Sequence, residues 1–463
     1  MHRPLAPLVL ALSLASTAFA GECPSAVMAA SKAAVPDGRI TSCHVLPKEE
    51  GKPWALRVST AKGRAFLRIS AQGELLRLER EAGYAALPAP LWSRFAKEHP
   101  GAKITAVRRV EKGDPAGWIV DLGKDEVFYP DAVAFVVRAG KPFGKTFPGE
   151  ERLSDVRQLT FGGENAEAYF SPDGTKLIFQ ATVAPNRCDR QYVLDLATGE
   201  VTQVSSGKGR TTCGYFSYPD GKKIVYASTE AGGDPCPADP DRSKGYVWAL
   251  YDTYDLWLAD ADGRNATRIT DGKGYDAEAT WCHKGGKMIF TSVRDGDLEL
   301  YERRDDGTVT RLTHTPGYDG GAFYSPDCSE IVWRAGRPEG EALAEYRSLL
   351  AEGLVRPRNV EIYVAKADGS DPRRLTNNGA ANFCPYFTPD SKQVIFASNA
   401  TAGGREFDLY LVSRDGGPLE RVTTAPGFDG FPYFSPDGKW LVWASNRADP
   451  NSRDTNLFIA RWR

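Results

Sequence analysis

Pro432-Tyr-Phe-Ser-Pro-Asp-Gly438 is followed, one residue on, by the short β-branched and aromatic run Trp440-Leu-Val-Trp443. Proline presets the first turn angle, and aspartate and glycine tolerate the remaining ones, so the stretch reads as strand, tight turn, strand. Five related copies lie upstream: Ala168-Tyr-Phe-Ser-Pro-Asp-Gly174, Gly214-Tyr-Phe-Ser-Tyr-Pro-Asp-Gly221, the degenerate Ala279-Thr-Trp-Cys-His-Lys-Gly285, Ala322-Phe-Tyr-Ser-Pro-Asp-Cys328 and Pro385-Tyr-Phe-Thr-Pro-Asp-Ser391. Each leads into a run of strand-forming residues such as Lys176-Leu-Ile-Phe179 or Gln393-Val-Ile-Phe396.

The rest of the unit repeats as well. A third strand such as Asp408-Leu-Tyr-Leu-Val412 runs toward Asp-Gly at 262–263, 306–307, 368–369 and 415–416, a strong hairpin signal. A fourth closes the unit: Thr267-Arg-Ile-Thr270, Thr310-Arg-Leu-Thr313, Arg373-Arg-Leu-Thr376 and Glu420-Arg-Val-Thr423. Four strands, repeating every 43 to 47 residues where nothing is inserted, match one propeller blade. The sixth unit stops after its third strand at Arg463, while an orphan fourth strand, Val156-Arg-Gln-Leu-Thr160, precedes the first. Pairing these two segments closes the ring and removes exposed edges. The expected fold is all-β: a six-bladed propeller of four-stranded blades over 155–463, preceded by a small α+β domain over 21–150.

The Tyr-Phe-Ser-Pro-Asp-Gly turns, the Arg-Leu-Thr strands and approach segments such as Gly317-Tyr-Asp-Gly320 and Gly427-Phe-Asp-Gly430 resemble the TolB-like family of periplasmic six-bladed propellers. The resemblance spans about 155–463. It implies a role in envelope assembly or maintenance, in contact with a protein or peptide of the cell envelope such as a peptidoglycan-associated partner. Residues 21–150 lack the repeat. A helix over 27–34, strands over 40–46, 54–59, 64–69 and 75–80, a helix over 90–98 and strands over 105–109 and 117–122 resemble small modules of the PepSY kind, two in tandem. Residues 140–152 read as linker; Gly140-Lys-Pro-Phe-Gly-Lys-Thr146 is one residue short of a phosphate loop and precedes no helix.

Composition narrows the setting. Sixty acidic against 58 basic residues, with net charge −2, excludes a basic nucleic-acid surface. Arg3, the apolar run from Leu8 to Ala15 and Ala18-Phe-Ala20 read as a signal peptide over 1–20, cut to give a periplasmic or secreted protein with no membrane span. Eight cysteines, an even number with no Cys-x-x-Cys pair, favour disulfides over zinc. Equivalent positions in neighbouring blades pair Cys282 with Cys328. Cys188 is expected to meet Cys213, and Cys23 to meet Cys43, leaving Cys236 and Cys384 unassigned.

Two insertions, over 230–251 and 337–358, leave a second strand and return to a third. Both therefore project on the face where blades are linked. Leu343, Tyr346 and Leu350 recur at helical spacing in the second. Aligning the blades on their aromatic pair puts Asn165, Thr211, Asp276, Asp319, Asn382 and Asp429 at one position on that face. Two readings stand side by side there: each residue caps its own turn, or together, with Glu167 and Glu278 two residues on, they form a polar mouth for a basic peptide or a hard cation such as calcium. Tyr246, Trp248, Tyr251, Tyr318 and Phe428 are candidate aromatic anchors. No cofactor is implied. A Gly-x-Ser-x-Gly elbow and a His-Glu-x-x-His pair are missing, and His283 fills the proline place of a turn. The leading expectation is a non-enzymatic binding protein acting through the loop-rich face. Its rivals are a hydrolase or lyase on peptide or glycan using Asp276, Glu278 and Asp319, and a calcium-stabilised scaffold.

Overall fold

The computed structural model describes residues 23–47, 51–82, 95, 99, 101–112, 117–130, 139–272, 274–401, 403, 404 and 406–463. The chain divides into two compact units, Met1–Val136 and Val137–Arg463. Among the described residues no helix is long and apolar enough to cross a membrane.

In the first unit, helix Ser25–Ala34 precedes seven strands that pair in chain order in one antiparallel sheet, from Arg39–Val45 to Glu126–Pro130. Strict alternation does this: Leu56 and Val58, then Ala65, Leu67 and Ile69, turn one face of the sheet inward against Val27 and Val35. Cys23–Cys43 ties the helix to the first strand. The last strand, Glu126–Pro130, went unread in the sequence, and the helix expected over 90–98 lies, apart from Phe95, outside the described residues.

The second unit is a ring of six four-stranded antiparallel sheets, each running from the innermost strand outward. Every Ser-Pro-Asp-Gly turn is wired the same way. The Ser171 hydroxyl accepts from the Lys176 amide (3.0 Å) while Asp173 accepts from the Thr175 amide (3.0 Å). Ser325 with Asp327, Thr388 with Asp390 and Ser435 with Asp437 repeat the pattern. Ring closure joins the two ends of the unit: Leu153–Gln158 pairs with Asn456–Trp462, and Leu159 N donates to Leu457 O at 2.7 Å. Outside it, Lys141–Pro142 adds a fifth strand. The segment read as linker over 140–152 therefore begins inside the propeller unit.

The two insertions meet. Insertion one carries two short 3-10 turns and the strand Trp248–Ala249; insertion two carries helix Gly340–Ala351 and the strand Leu354–Val355. These short strands pair antiparallel, Trp248 opposite Val355. Tyr346 and Leu349 of the helix are buried against Val247, Leu250, Leu298 and Tyr318. Two loops that the sequence presents as independent thus form one cap on the loop-rich face.

Cys282–Cys328 joins neighbouring first hairpins. The pairing expected for Cys188 is corrected: its partner is Cys236 of the first insertion, and Cys213 and Cys384 are free thiols. Cys213 is directed elsewhere because its strand bulges at that residue.

Candidate functional site

The six aligned polar positions open the innermost strands, and all are buried: Asn165, Thr211, Asp276, Asp319, Asn382 and Asp429 are each less than 5% exposed. Each is spent locally. Asn165 donates to the carbonyls of Gly162 and Thr455, and Thr211 to that of Asp189. Asn382 donates to Val360 O and the Glu361 carboxylate. The three aspartates each take an arginine from the end of their own second strand: Asp276 with Arg294, Asp319 with Arg337 and Asp429 with Arg447. Indole N–H groups of Trp333 and Trp443 donate to Asp319 and Asp429. Burial pushes the Asp319 carboxyl up to about 7, against the pull of Arg337. Of the two readings, the geometry favours caps over an anionic mouth, since buried carboxylates need counter-charges; Asp319 Oδ2 alone of these carboxylate oxygens is buried with no hydrogen-bond partner among the described residues.

The open chemistry lies two residues further in. Every innermost strand breaks register at one place, between 166 and 169 in the first blade and between 430 and 433 in the last. The residue in the break has positive φ: Glu167, Cys213, Glu278, Gly321, Cys384 and Phe431. Such a bulge bends the strand and re-aims the side chain. Here it turns five side chains, two carboxyls and two thiols among them, toward the axis, and leaves the sixth place, Gly321, empty.

Arg334, from the second strand of blade four, reaches into this ring. It bonds the Glu278 carboxylate and the Tyr318 hydroxyl and lies over the Trp248 and Tyr318 rings, 5.4 and 5.3 Å from their centroids. Glu278 further accepts from Thr291 Oγ1 (2.7 Å) and Gly321 N (2.8 Å). Glu167 has weaker company, the Tyr169 hydroxyl at 3.3 Å and the Cys213 thiol at 3.6 Å. Burial first, and Glu278 second, push its carboxyl up to about 7. Burial likewise holds both thiols in the protonated form, Cys384 pushed up to about 12.

Below this layer the axis is closed. Tyr169, Tyr215, Phe323, Tyr386 and Tyr433, two residues past the bulges, are all at most 7% exposed and pack on one another across the ring. Tyr215 and Tyr433 share a hydroxyl contact of 2.6 Å, and Tyr215 also meets His283 Nε2 at 3.2 Å. His283 stacks on Tyr218 at 4.0 Å, and burial lowers its pKa to about 4. The bulge residues thus stand above a closed aromatic floor, and the region between that floor and the loop-rich face is here called the funnel.

Aromatic rings form the rim of that funnel. Trp248 contacts Tyr318 and Phe383, Phe383 contacts Phe407, Phe407 contacts Phe428, and Phe428 contacts Phe431, with centroids 5.6 to 6.4 Å apart. Of these, all but Tyr318 are half-buried, and Tyr246, against Trp248, is 71% exposed. Trp248 and Phe428 of the rim and Glu167 and Glu278 of the bulges lie on one face. Tyr251 sits apart, donating to Ala238 O. Arg334, Cys213, Cys384, Phe383, Phe407 and Phe431 were missed, although counting two residues on from the aligned polar position finds three of them, Cys213, Cys384 and Phe431. Among the described residues no group of three or more histidine, cysteine or acidic side chains is arranged to hold a metal ion.

No protein-family model matches the chain. It is similar to the uncharacterized peptidase YuxL of Bacillus subtilis, 26% identical over 168 residues that make up 32% of this chain and 26% of that one. The Tol-Pal system protein TolB of Francisella tularensis subsp. mediasiatica is 28% identical over 219 residues, 46% of this chain and 41% of its own. The matches span between 20% and 41% of the length of the curated relatives. A solved structure described as a putative TolB from Agrobacterium tumefaciens has a TM-score of 0.45 at 20% identity, covering 65% of this chain and 91% of that one. The chain resembles TolB-like propellers, as its repeats imply.

Proposed function

We propose that this chain is an exported, non-enzymatic binding protein of the cell envelope that seats a protein or peptide segment in the funnel of its loop-rich face. The observation that carries this is the half-buried aromatic rim above a closed floor. Rigid aromatic surface around a concave, partly polar interior is the composition of binding hot spots, and here it lies on the loops and strand ends of a stiff scaffold. Glu167, half-buried and hydrogen-bonded only to the neutral Tyr169 and Cys213, is suited to a cationic group of the ligand, with the rim rings adding cation–π attraction. Three disulfides favour an oxidising compartment, periplasmic or secreted. Similarity to a Tol-Pal system protein supports a place in envelope maintenance.

The catalytic reading fits less well. The acids nominated for it, Asp276, Glu278 and Asp319, are each held by an arginine, and Asp276 and Asp319 are at most 4% exposed. A cation-stabilised scaffold meets the same obstacle, since those oxygens already have counter-charges. The test is affinity capture from envelope extract with the native protein and a Trp248→Ala/Phe428→Ala double variant. The proposal expects a discrete protein set retained by the first and lost by the second at unchanged melting temperature. Equal retention would overturn it.

A further inference from the structure

A second concave feature lies between the second-to-third-strand connections of blades one and two. The loop after strand Lys176–Thr182 and the first insertion face each other across a cleft of about 570 Å³ and are bolted together by Cys188–Cys236. Three arginines, Arg187, Arg190 and Arg210, line it.

Arg190 is the unusual one. It is 6% exposed, and its Nη1 donates only to neutral acceptors, the carbonyls of Asp189 and Gly209 and the Cys188 sulfur. Among the described residues no carboxylate is bonded to it, and burial lowers its pKa. Buried guanidinium groups ordinarily sit on an acid; this one feels Asp189 through space but has no carboxylate bonded to it at the cleft wall. The acids nearby are already engaged: Asp239 and Asp189 by Arg210, at 3.2 and 3.5 Å, and Asp234 by Lys208 at 3.0 Å. Arg210 keeps a buried Nε with no partner among the described residues. Arg187 is exposed and has no acid bonded to it among the described residues. The rigid guanidinium fork matches two oxygens of one oxyanion, and the disulfide fixes the wall that presents it.

We propose that this cleft is an oxyanion-binding site, separate from the funnel, which takes a carboxylate or phosphoryl group between Arg190 and Arg187. The group could come from the carboxyl end of a peptide or from a phosphorylated molecule, and the two sources separate experimentally. Melting temperature of the full chain is followed, at fixed ionic strength, against inorganic phosphate and against a short peptide in free-acid and amidated forms. A saturable rise with phosphate alone assigns the phosphoryl group. A rise with the free-acid peptide and not its amide assigns the peptide end. Arg187→Glu, a surface change, should leave the unliganded melting temperature unchanged and weaken the binding by about tenfold or more. Arg190→Lys should weaken it too, and if that variant fails to fold the Arg187 variant still decides. No saturable rise with either probe, or the same rise in Arg187→Glu, overturns the site.

Discussion

Arg334 fills the space that a side chain at Gly321 would need: a Cβ on Gly321 would lie 1.9 Å from Arg334 Nη1. The glycine is not there for its backbone angle alone. The five equivalent residues, Glu167, Cys213, Glu278, Cys384 and Phe431, carry side chains at nearly the same positive φ. Only in blade four must the position stay empty, because the arginine crosses it to reach Glu278. Gly321→Ala should therefore displace Arg334, with a cost of about 1–3 kcal/mol from overpacking. In an Arg334→Ala background the same change should cost much less, a coupling that a double-mutant cycle of urea melts measures. Additive effects would show that the two residues do not compete for space.

Glu167 gives the funnel a pH dependence. Its carboxyl titrates at about 7 in the fold against an ordinary 4.5. Between those values the folded state holds a proton that the unfolded chain has released. This contribution to stability is thus largest below about pH 4.5, falls as pH rises to 7, and then levels off. Glu167→Gln removes the burden of an ionised buried group, so it should raise the melting temperature at pH 8 and leave it nearly unchanged at pH 4.5. A variant less stable than the parent at both values would mean that the carboxylate is held by partners strong enough to favour its charge.

Asp319 and Asp429 are expected to act on stability, not on recognition. Asp429 and Arg447 are each 1% exposed, and Trp443 also leans on the carboxylate. Asp429→Ala leaves Arg447 with Glu150 alone and should cost about 3–5 kcal/mol, the usual penalty for breaking a buried pair. Chemical denaturation checks it. A loss below 1 kcal/mol, coupled to lost partner capture, would return these residues to the binding site.

Much of this protein is legible in its sequence because the propeller repeats itself. Ser171, Ser325 and Ser435 recur in one turn, and an orphan strand before the first copy finds its place only by pairing with the last blade. Periodicity also located Asp276, Asp319 and Asp429 at one level. It could not say that Arg294, Arg337 and Arg447 return to that level from the second strand, which turns an apparent acidic mouth into neutral caps. Nor does periodicity announce a bulge: Glu167 and Cys213 point to the axis because each strand gains one residue, a feature with no composition of its own when the residue is not glycine. The meeting of Trp248 with Val355 is a contact between two non-repeating loops, and pattern reading has no purchase on those.

That meeting makes the two insertions interdependent. Excising 337–358 removes Leu354–Val355 and the helix that covers Val247 and Leu250. The first insertion should then be cut by protease near 238–246 at least tenfold faster than in the parent, an order expected when local packing is lost. Unchanged cleavage would mean that Cys188–Cys236 alone holds the insertion in place.

Photo-cross-linking from defined positions tests the central claim most directly. A photoreactive residue replaces Tyr246 at the funnel rim in one variant and Lys439, exposed beside a tight hairpin turn on the opposite face, in another. Both are irradiated in envelope extract, alone and with the Trp248→Ala/Phe428→Ala change. The account predicts a discrete protein adduct from position 246 that disappears in the rim variant, and none from position 439. An adduct from 439 that survives the rim change, with nothing from 246, would contradict it.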